Sequence, residues 1–199
     1  MKINTEIAEI IGLLCAEGSY HNYSKKYWEY YKDRNKHYFR NRKTVYIQFA
    51  NYDKKLLAHF RGLIKRVYNY DASLSWDRIR ICKRRVIKNL LNYTKYGHLK
   101  WKIPKDIING SKIIKIRFLR GYFDGDGTAV NSMGFFSTNK KSLKKVSMIL
   151  KSLSVENTFN GPIIRKDRKP SYYIYIRRKH QEKFLKMINP VSKLPKKVL

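Results

Sequence analysis

Acidic residues are scarce in this 199-residue chain: 14 Asp and Glu stand against 45 Lys and Arg, a formal net charge of +31. Solubility alone asks for a net charge of only about 2 to 8 in a small domain, so the excess points to a polyanionic partner, nucleic acid by default. Cysteine is nearly absent as well. Cys15 and Cys82 have no CxxC or Cys/His spacing, which argues against structural zinc and a secreted disulfide framework and leads one to expect a reducing, intracellular setting, cytoplasm and organelle alike. No apolar run approaches the roughly 18 residues of a membrane span. The run Ile10 to Ala16 is short and has Glu6, Glu9 and Glu17 around it, unlike a signal peptide with its basic start. HExxH, GxSxG and Walker A motifs are missing. Asp124-Gly125-Asp126-Gly127-Thr128 begins like a calcium loop, but its twelfth position is Phe135, where a bidentate Glu is needed. Nor is Gly125-x-Gly127 a dinucleotide fingerprint, since Val130 takes the third glycine position.

What is present is a folding composition, 43% hydrophobic and 14% aromatic, and an internal repeat. IIGLLCAEG at 10–18 matches LRGYFDGDG at 119–127, with Gly12 over Gly121 and Glu17 over Asp126. Phe49-Ala50-Asn51 matches Phe136-Ser137-Thr138, each before a lysine-rich helical run. IRICKRRVIKNLL at 79–91 matches IYIRRKHQEKFLK at 174–186, both switching from alternating to helical apolar spacing. Lys102-Ile103-Pro104-Lys105 matches Lys193-Leu194-Pro195-Lys196. The four matches fall in one order and predict two halves, 1–97 and 112–199, joined by a Gly- and Pro-containing linker at 98–111. Each half reads helix, strand, strand, helix, strand, strand, helix. In the first, the elements fall near 5–17, 19–31, 43–49, 52–68, 73–76, 78–83 and 84–96, with a long first-hairpin loop at Lys32 to Arg42. The class is α+β.

As helices, the first matched segments carry stripes of small residues, Gly12 with Ala16 and Gly121 with Gly125, spaced to share a face. Packed on each other, these stripes bring Glu17 and Asp126 together at two helix C-termini, each followed by a glycine suited to a C-cap, Gly18 or Gly127. Two carboxylates at the negative ends of two helix dipoles repel unless a cation intervenes. An all-oxygen donor set suits Mg²⁺, which keeps waters and takes substrate phosphate as a ligand. The plainer alternative for either segment alone is a buried helix with a glycine stop.

With these residues in place, the chain resembles a LAGLIDADG homing endonuclease of the monomeric, two-motif, intron-encoded kind, over nearly its whole length. The resemblance implies αββαββα halves, each with a four-stranded antiparallel saddle-shaped sheet, packed through the two motif helices. It implies Glu17 and Asp126 as metal-binding acids for Mg²⁺ or Mn²⁺, helped by the carbonyls of Ala16 and Gly125. The reaction it implies is hydrolysis of both strands of a long asymmetric double-stranded DNA target, leaving 3′ overhangs. Asn51 and Thr138 are the polar candidates at matching strand ends. Lys102 and Lys193 are the symmetric basic ones, with solvated linker and tail charges as the alternative reading. Cys15 departs from the family at a motif position where the second half has Asp124. The Glu/Asp pair suggests unequal rates at the two cleavage centres.

A sheet lying in the major groove distinguishes all four base pairs, whereas most Lys contacts go to phosphate. Alternation directs Val45, Ile47 and Phe49 to the core and Thr44, Tyr46 and Gln48 outward. Ile79 and Ile81 point in and Arg78 and Arg80 out; Ile174 and Ile176 point in and Tyr173, Tyr175 and Arg177 out. The first strand presents His21, Tyr23 and Lys25. For any one of these the alternative is an ordinary polar face. Two rival functions share the fold: an RNA maturase acting on its own intron, and a noncatalytic nucleic-acid-binding regulator. An intein-embedded enzyme is not expected, since neither a splicing nucleophile at the start nor a terminal His-Asn is present.

Overall fold

The computed structural model describes residues 2–129 and 132–193; Leu194 to Lys196, three of the four second-half residues of the last sequence match, lie outside them. The chain runs α1 (Thr5–Glu17), β1 (Gly18–Tyr31), β2 (Lys36–Ala50), α2 (Lys54–Tyr68), β3 (Ser73–Ser75), β4 (Arg78–Ile81) and α3 (Arg84–Tyr93). A short α4 (Lys105–Ile108) precedes α5 (Lys112–Asp126), β5 (Gly127–Thr128), β6 (Gly134–Ser137), α6 (Lys140–Ser152), β7 (Asn157–Ile163), β8 (Ser171–Ile176) and α7 (Arg178–Ile188). The four strands of each half form one antiparallel sheet, ordered β1-β2-β4-β3 and β5-β6-β8-β7.

α1 is apolar around most of its circumference, the pattern of a helix buried on all sides. Asn4 starts it, its Oδ1 accepting the Ile7 N–H at 2.8 Å. Ile10, Leu13 and Leu14 pack with Ile47, Phe49, Phe60, Ile79 and Leu90 of the first half. Ile7, Ala8, Ile11 and Cys15 pack instead with Phe118, Tyr122, Phe123, Phe135, Ile174 and Phe184 of the second. One helix therefore belongs to both cores. The buried Glu9 adds an ionic tie, with His59 Nε2 of α2 at 2.6 Å and Arg117 and Arg120 of α5 at 3.2 and 3.4 Å.

Two expectations, the first-hairpin loop and the end of α3, need correction. The long loop at Lys32 to Arg42 is mostly strand: β1 and β2 pair continuously from Gly18↔Phe49 to Tyr31↔Lys36. Only a short 3₁₀ turn, Lys32–Arg34, and Asn35 in the left-handed region (φ 47°) reverse the chain. Cross-strand aromatic pairs hold this ribbon, Trp28 with Phe39 at 5.4 Å and Tyr31 with Tyr38 at 5.4 Å. α3 stops at Tyr93 because Thr94 turns extended and its Oγ1 takes the Lys102 N–H at 2.9 Å. Segment 98–111 carries α4 and packs: Trp101, Ile103 and Ile107 are buried in the second core. The Trp101 carbonyl accepts from Asn139 Nδ2 and Ser142 Oγ, each at 2.9 Å.

Candidate functional site

The two motif helices cross where their glycines lie. A Cβ on Gly12 would sit 2.3 Å from the Phe118 carbonyl oxygen, and one on Gly121 2.3 Å from that of Glu9. At the last turns, a Cβ on Gly125 would sit 2.3 Å from Ala16 Cβ and 3.3 Å from Glu17 Cγ. Backbone contact therefore delivers Glu17 and Asp126 to one place. Burial first, and the Glu17 charge second, push the Asp126 carboxyl from its ordinary 3.8 up to about 7, against an opposing pull from Lys193. Burial raises Glu17 as well, with Lys193 again lowering it.

Gly18 and Gly127 follow the acids as expected, but for a different reason. Both are extended, with φ of −87° and −70°, not left-handed. Their N–H groups cap Leu14 and Phe123, and it is the closeness of those turns that excludes a side chain. A Cβ would lie 2.3 Å from the Leu14 oxygen at Gly18, and 2.3 Å from the Phe123 ring at Gly127.

Of the two symmetric lysines, the structure joins one to the acids. Lys193 Nζ donates to the carbonyls of Gly125 and Gly127, the latter at 2.6 Å. Burial lowers its pKa, while Asp126, Glu17 and Asp124 favour its charge. Its position comes from Asp124, whose buried carboxylate accepts the N–H groups of Val191 at 2.9 Å and Ser192 at 3.0 Å. The motif position that is acidic in one half alone thus anchors the segment carrying the lysine. In the first half the same position is Cys15, buried and pushed strongly toward the neutral thiol. Lys102 is exposed and is held through its backbone on Thr94.

The polar pair needs a new register. Phe49 pairs with Gly18 and Phe135 with Gly127, both rings fully buried, so Phe135 and not Phe136 is the counterpart of Phe49. Asn51 then corresponds to Ser137: each accepts the N–H two residues on, from Asp53 at 2.9 Å and from Asn139 at 3.1 Å. Asp53 and Asn139 in turn cap α2 and α6. Asn51 is thereby engaged in starting a helix. Thr138 lines a cavity of about 310 Å³ beside Asp126, together with His98 and Phe136. His98, in the 98–111 segment, lies with Nδ1 3.4 Å from Thr138 Oγ1; nothing in its sequence surroundings marks it. A larger open groove of about 650 Å³, lined by Arg61, Lys65, Leu74 and Trp76, contains neither acid.

The register places Gln48, Tyr46 and Thr44 opposite Ser19, His21 and Tyr23, and Lys25 opposite Arg42. Since Ile47 and Phe49 are buried, these residues share the outer face of the first sheet. Arg80 Nε donates to Gln48 Oε1 at 3.1 Å and its guanidinium covers the Tyr46 ring, on which His21 stacks at 4.5 Å. Arg78 is clasped by Asp77 through two bonds of 2.6 Å. In the second sheet Tyr173 stacks on the half-exposed Phe136 at 5.5 Å, and Tyr175 pairs with Gly134 and Thr158. Arg177 lies past the end of β8, 3.6 Å from Glu156.

The donor set fits a divalent ion. Two carboxylates converge, each directly preceded in the chain by a carbonyl-bearing candidate, Ala16 or Gly125, and among the described residues no third His, Cys, Asp or Glu joins. A hard ion bound by one or two carboxylates and completed by waters and phosphate needs no more. Because the folded Asp126 holds a proton up to about pH 7 that the unfolded chain releases near 3.8, metal-free stability should fall as pH rises between those values. The fall attributable to this group is about 3 to 4 kcal/mol at most. Denaturant titrations at pH 5 and pH 7.5 check it; an equal slope in wild type and Asp126→Asn would refute it.

Residues 114–189 match the model of the LAGLIDADG-like domain. The homing endonuclease I-DmoI, in a structure of its mesophilic variants, superposes with a TM-score of 0.64 at 20% identity, covering 92% of this chain and 94% of that one. I-DmoI in complex with DNA and Mn gives a TM-score of 0.62 at 19% identity, over 92% and 96% of the two chains. The LAGLIDADG homing endonuclease I-LtrWI bound to target DNA gives 0.55 at 13%, over 98% and 87%. Among curated proteins no sequence matches. The chain has the fold of LAGLIDADG homing endonucleases throughout, and its second half carries the domain in sequence. Among the described residues no helix is long and apolar enough to cross a membrane.

Proposed function

We propose that this chain, with its two LAGLIDADG motif helices, is a site-specific endonuclease that cuts both strands of double-stranded DNA as a monomer. It uses Mg²⁺ or Mn²⁺ and leaves 3′ overhangs. The observation that carries the reading is the meeting of Glu17 and Asp126 at the foot of two helices locked by Gly12 and Gly121. On both sides lie sheets whose outer faces bear cationic and aromatic side chains. That I-DmoI was solved in complex with DNA and Mn supports it.

Glu17 and Asp126 would hold the ion, with the Ala16 and Gly125 carbonyls beside it. When bound, a divalent ion polarises the scissile phosphate and lowers the pKa of the attacking water. Lys193 brings a second positive charge to the same place, where it offsets the charge of an incoming phosphate. That ammonium already engages the Gly125 carbonyl, so an ion held by this oxygen would share it with the lysine. The first half has no such clamp, because Lys102 is exposed and Cys15 replaces the anchoring acid. Together with the Glu/Asp difference, this makes the two strand cuts unequal in rate.

The test is Mg²⁺-dependent cleavage of a randomised duplex library with sequencing of the new ends. Defined, staggered ends are the expected result. Binding without cuts in either Mg²⁺ or Mn²⁺ would overturn the nuclease and favour the maturase or regulator.

A further inference from the structure

The β1–β2 ribbon extends far beyond the sheet it belongs to. β4 pairs with β2 only from Ile47 to Ala50, whereas β1 and β2 continue together to Tyr31↔Lys36. In the second half the corresponding hairpin, β5–β6, pairs at two positions among the described residues. About ten residue pairs therefore project as a two-stranded ribbon, and at about 3.3 Å per residue they reach roughly 33 Å, close to one turn of duplex DNA.

On the ribbon's outer face, continuous with Gln48, Tyr46 and Thr44, stands Arg40 opposite Tyr27. Its guanidinium is held in place. Arg40 Nε donates to Glu29 Oε2 at 3.2 Å, and Nη2 donates to the Tyr31 hydroxyl at 2.7 Å. The Tyr31 hydroxyl donates to the same Glu29 oxygen at 3.1 Å, and the Tyr31 and Tyr38 rings flank the cation at 5.3 and 5.8 Å. These partners take the side edge of the guanidinium, formed by Nε and Nη2. Among the described residues no hydrogen bond engages the end edge, formed by Nη1 and the second Nη2 hydrogen. Such a two-donor edge matches the O6/N7 acceptor pair that only guanine presents in the major groove. The same edge could also clasp a phosphate, but a phosphate contact would carry no sequence information, which is the difference the experiment below reads.

We infer that Arg40, oriented by Glu29 and Tyr31, reads a guanine at the outer end of the half-site bound by the N-terminal half. This rests on the proposal that the sheet faces lie on DNA, though not on whether the protein cuts. The Tyr27↔Arg40 pair is nine residues from Gly18, so the guanine falls about 8 to 10 base pairs from the centre of the site, at about 3.4 Å per base pair.

The experiment is affinity selection of a randomised duplex library without divalent metal. Wild type, Arg40→Ala, Arg40→Lys and Glu29→Gln are compared, with the site centre marked by hydroxyl-radical footprinting. Wild type should enrich guanine at one position in that window, on one side only. Arg40→Ala should lose this preference and bind the guanine site about five- to a hundredfold more weakly, with little change on a site carrying another base there. Arg40→Lys should keep overall affinity yet lose the preference, and Glu29→Gln should blunt it. Two results overturn the inference: no guanine preference in the window, or an Arg40→Ala loss equal on all sequences. Enrichment at no position in wild type would overturn the DNA-facing sheets as well, whereas cleavage failing beside a normal selection would sink only the nuclease.

Discussion

Asp126→Asn and Glu17→Gln should each reduce Mg²⁺-dependent cleavage by about 10³-fold or more while leaving affinity for the duplex within about threefold. Both replacements keep the side-chain volume and remove one negative charge from the pair that would hold the ion. Losing several kcal/mol of metal-derived transition-state stabilisation corresponds to about three orders of magnitude in rate. On the proposed function binding should persist, because it would rest on the outer faces of the two sheets, which the changes leave alone, and on the large positive charge, +31 in the wild type, which each change raises by one. Asp126→Asn should also make the metal-free protein more stable at pH 7.5, since a buried carboxylate repelled by Glu17 is gone. Single-turnover cleavage, filter binding and denaturation on the same preparations separate these effects. Cleavage that survives in both variants would remove the acids from the mechanism. Loss of binding together with cleavage would indicate a folding defect instead.

The second large effect is structural. Gly12→Ala and Gly121→Ala should each destabilise the protein by about 3 kcal/mol or more, at or beyond the upper end of ordinary overpacking costs. At Gly12 the added methyl meets the Phe118 oxygen at 2.3 Å and the Tyr122 nitrogen at 2.8 Å; at Gly121 it meets the Glu9 oxygen at 2.3 Å and the Leu13 nitrogen at 2.9 Å. All four are backbone atoms of the opposing helix, so relief requires the helices to separate, and with them the two acids. Gly62→Ala is the control. Its methyl meets only the end of the Arg66 side chain at 3.4 Å, so the usual helical preference of Ala over Gly should stabilise α2 by up to about 1 kcal/mol. Urea titrations of the three variants decide the matter, and a Gly12→Ala or Gly121→Ala protein as stable as wild type would contradict the packing.

The clearest sequence signals were those repeated in both halves. Paired motifs ending in Glu17 and Asp126, and the Ile-x-Ile strands leading into α3 and α7, identified the element order. Their spacing encodes a local periodicity that survives whatever packs around it. Where two alignments were equally periodic, the sequence misled: Phe135-Phe136 offers either ring to the core, and only pairing with Gly127 selects Phe135. The second arm of the ribbon, 36–42 of β2, was illegible for a related reason. Both of its faces are polar or aromatic, so no apolar alternation distinguishes strand from loop, and its pairing partners lie on the other side of the turn.

By itself, then, the sequence determined the two-fold repeat, the helix-strand order, the +31 charge and the two acids that end the paired motifs, because composition and short-range spacing carry these. The tertiary structure alone decided that Lys193 rather than Lys102 reaches the acids. It also engaged Asn51 in a helix start, brought His98 beside Thr138 and fixed the Arg40 guanidinium. Each of these depends on contacts between elements, such as Asp124 with the backbone of Val191, 67 residues further along the chain, that no local pattern records.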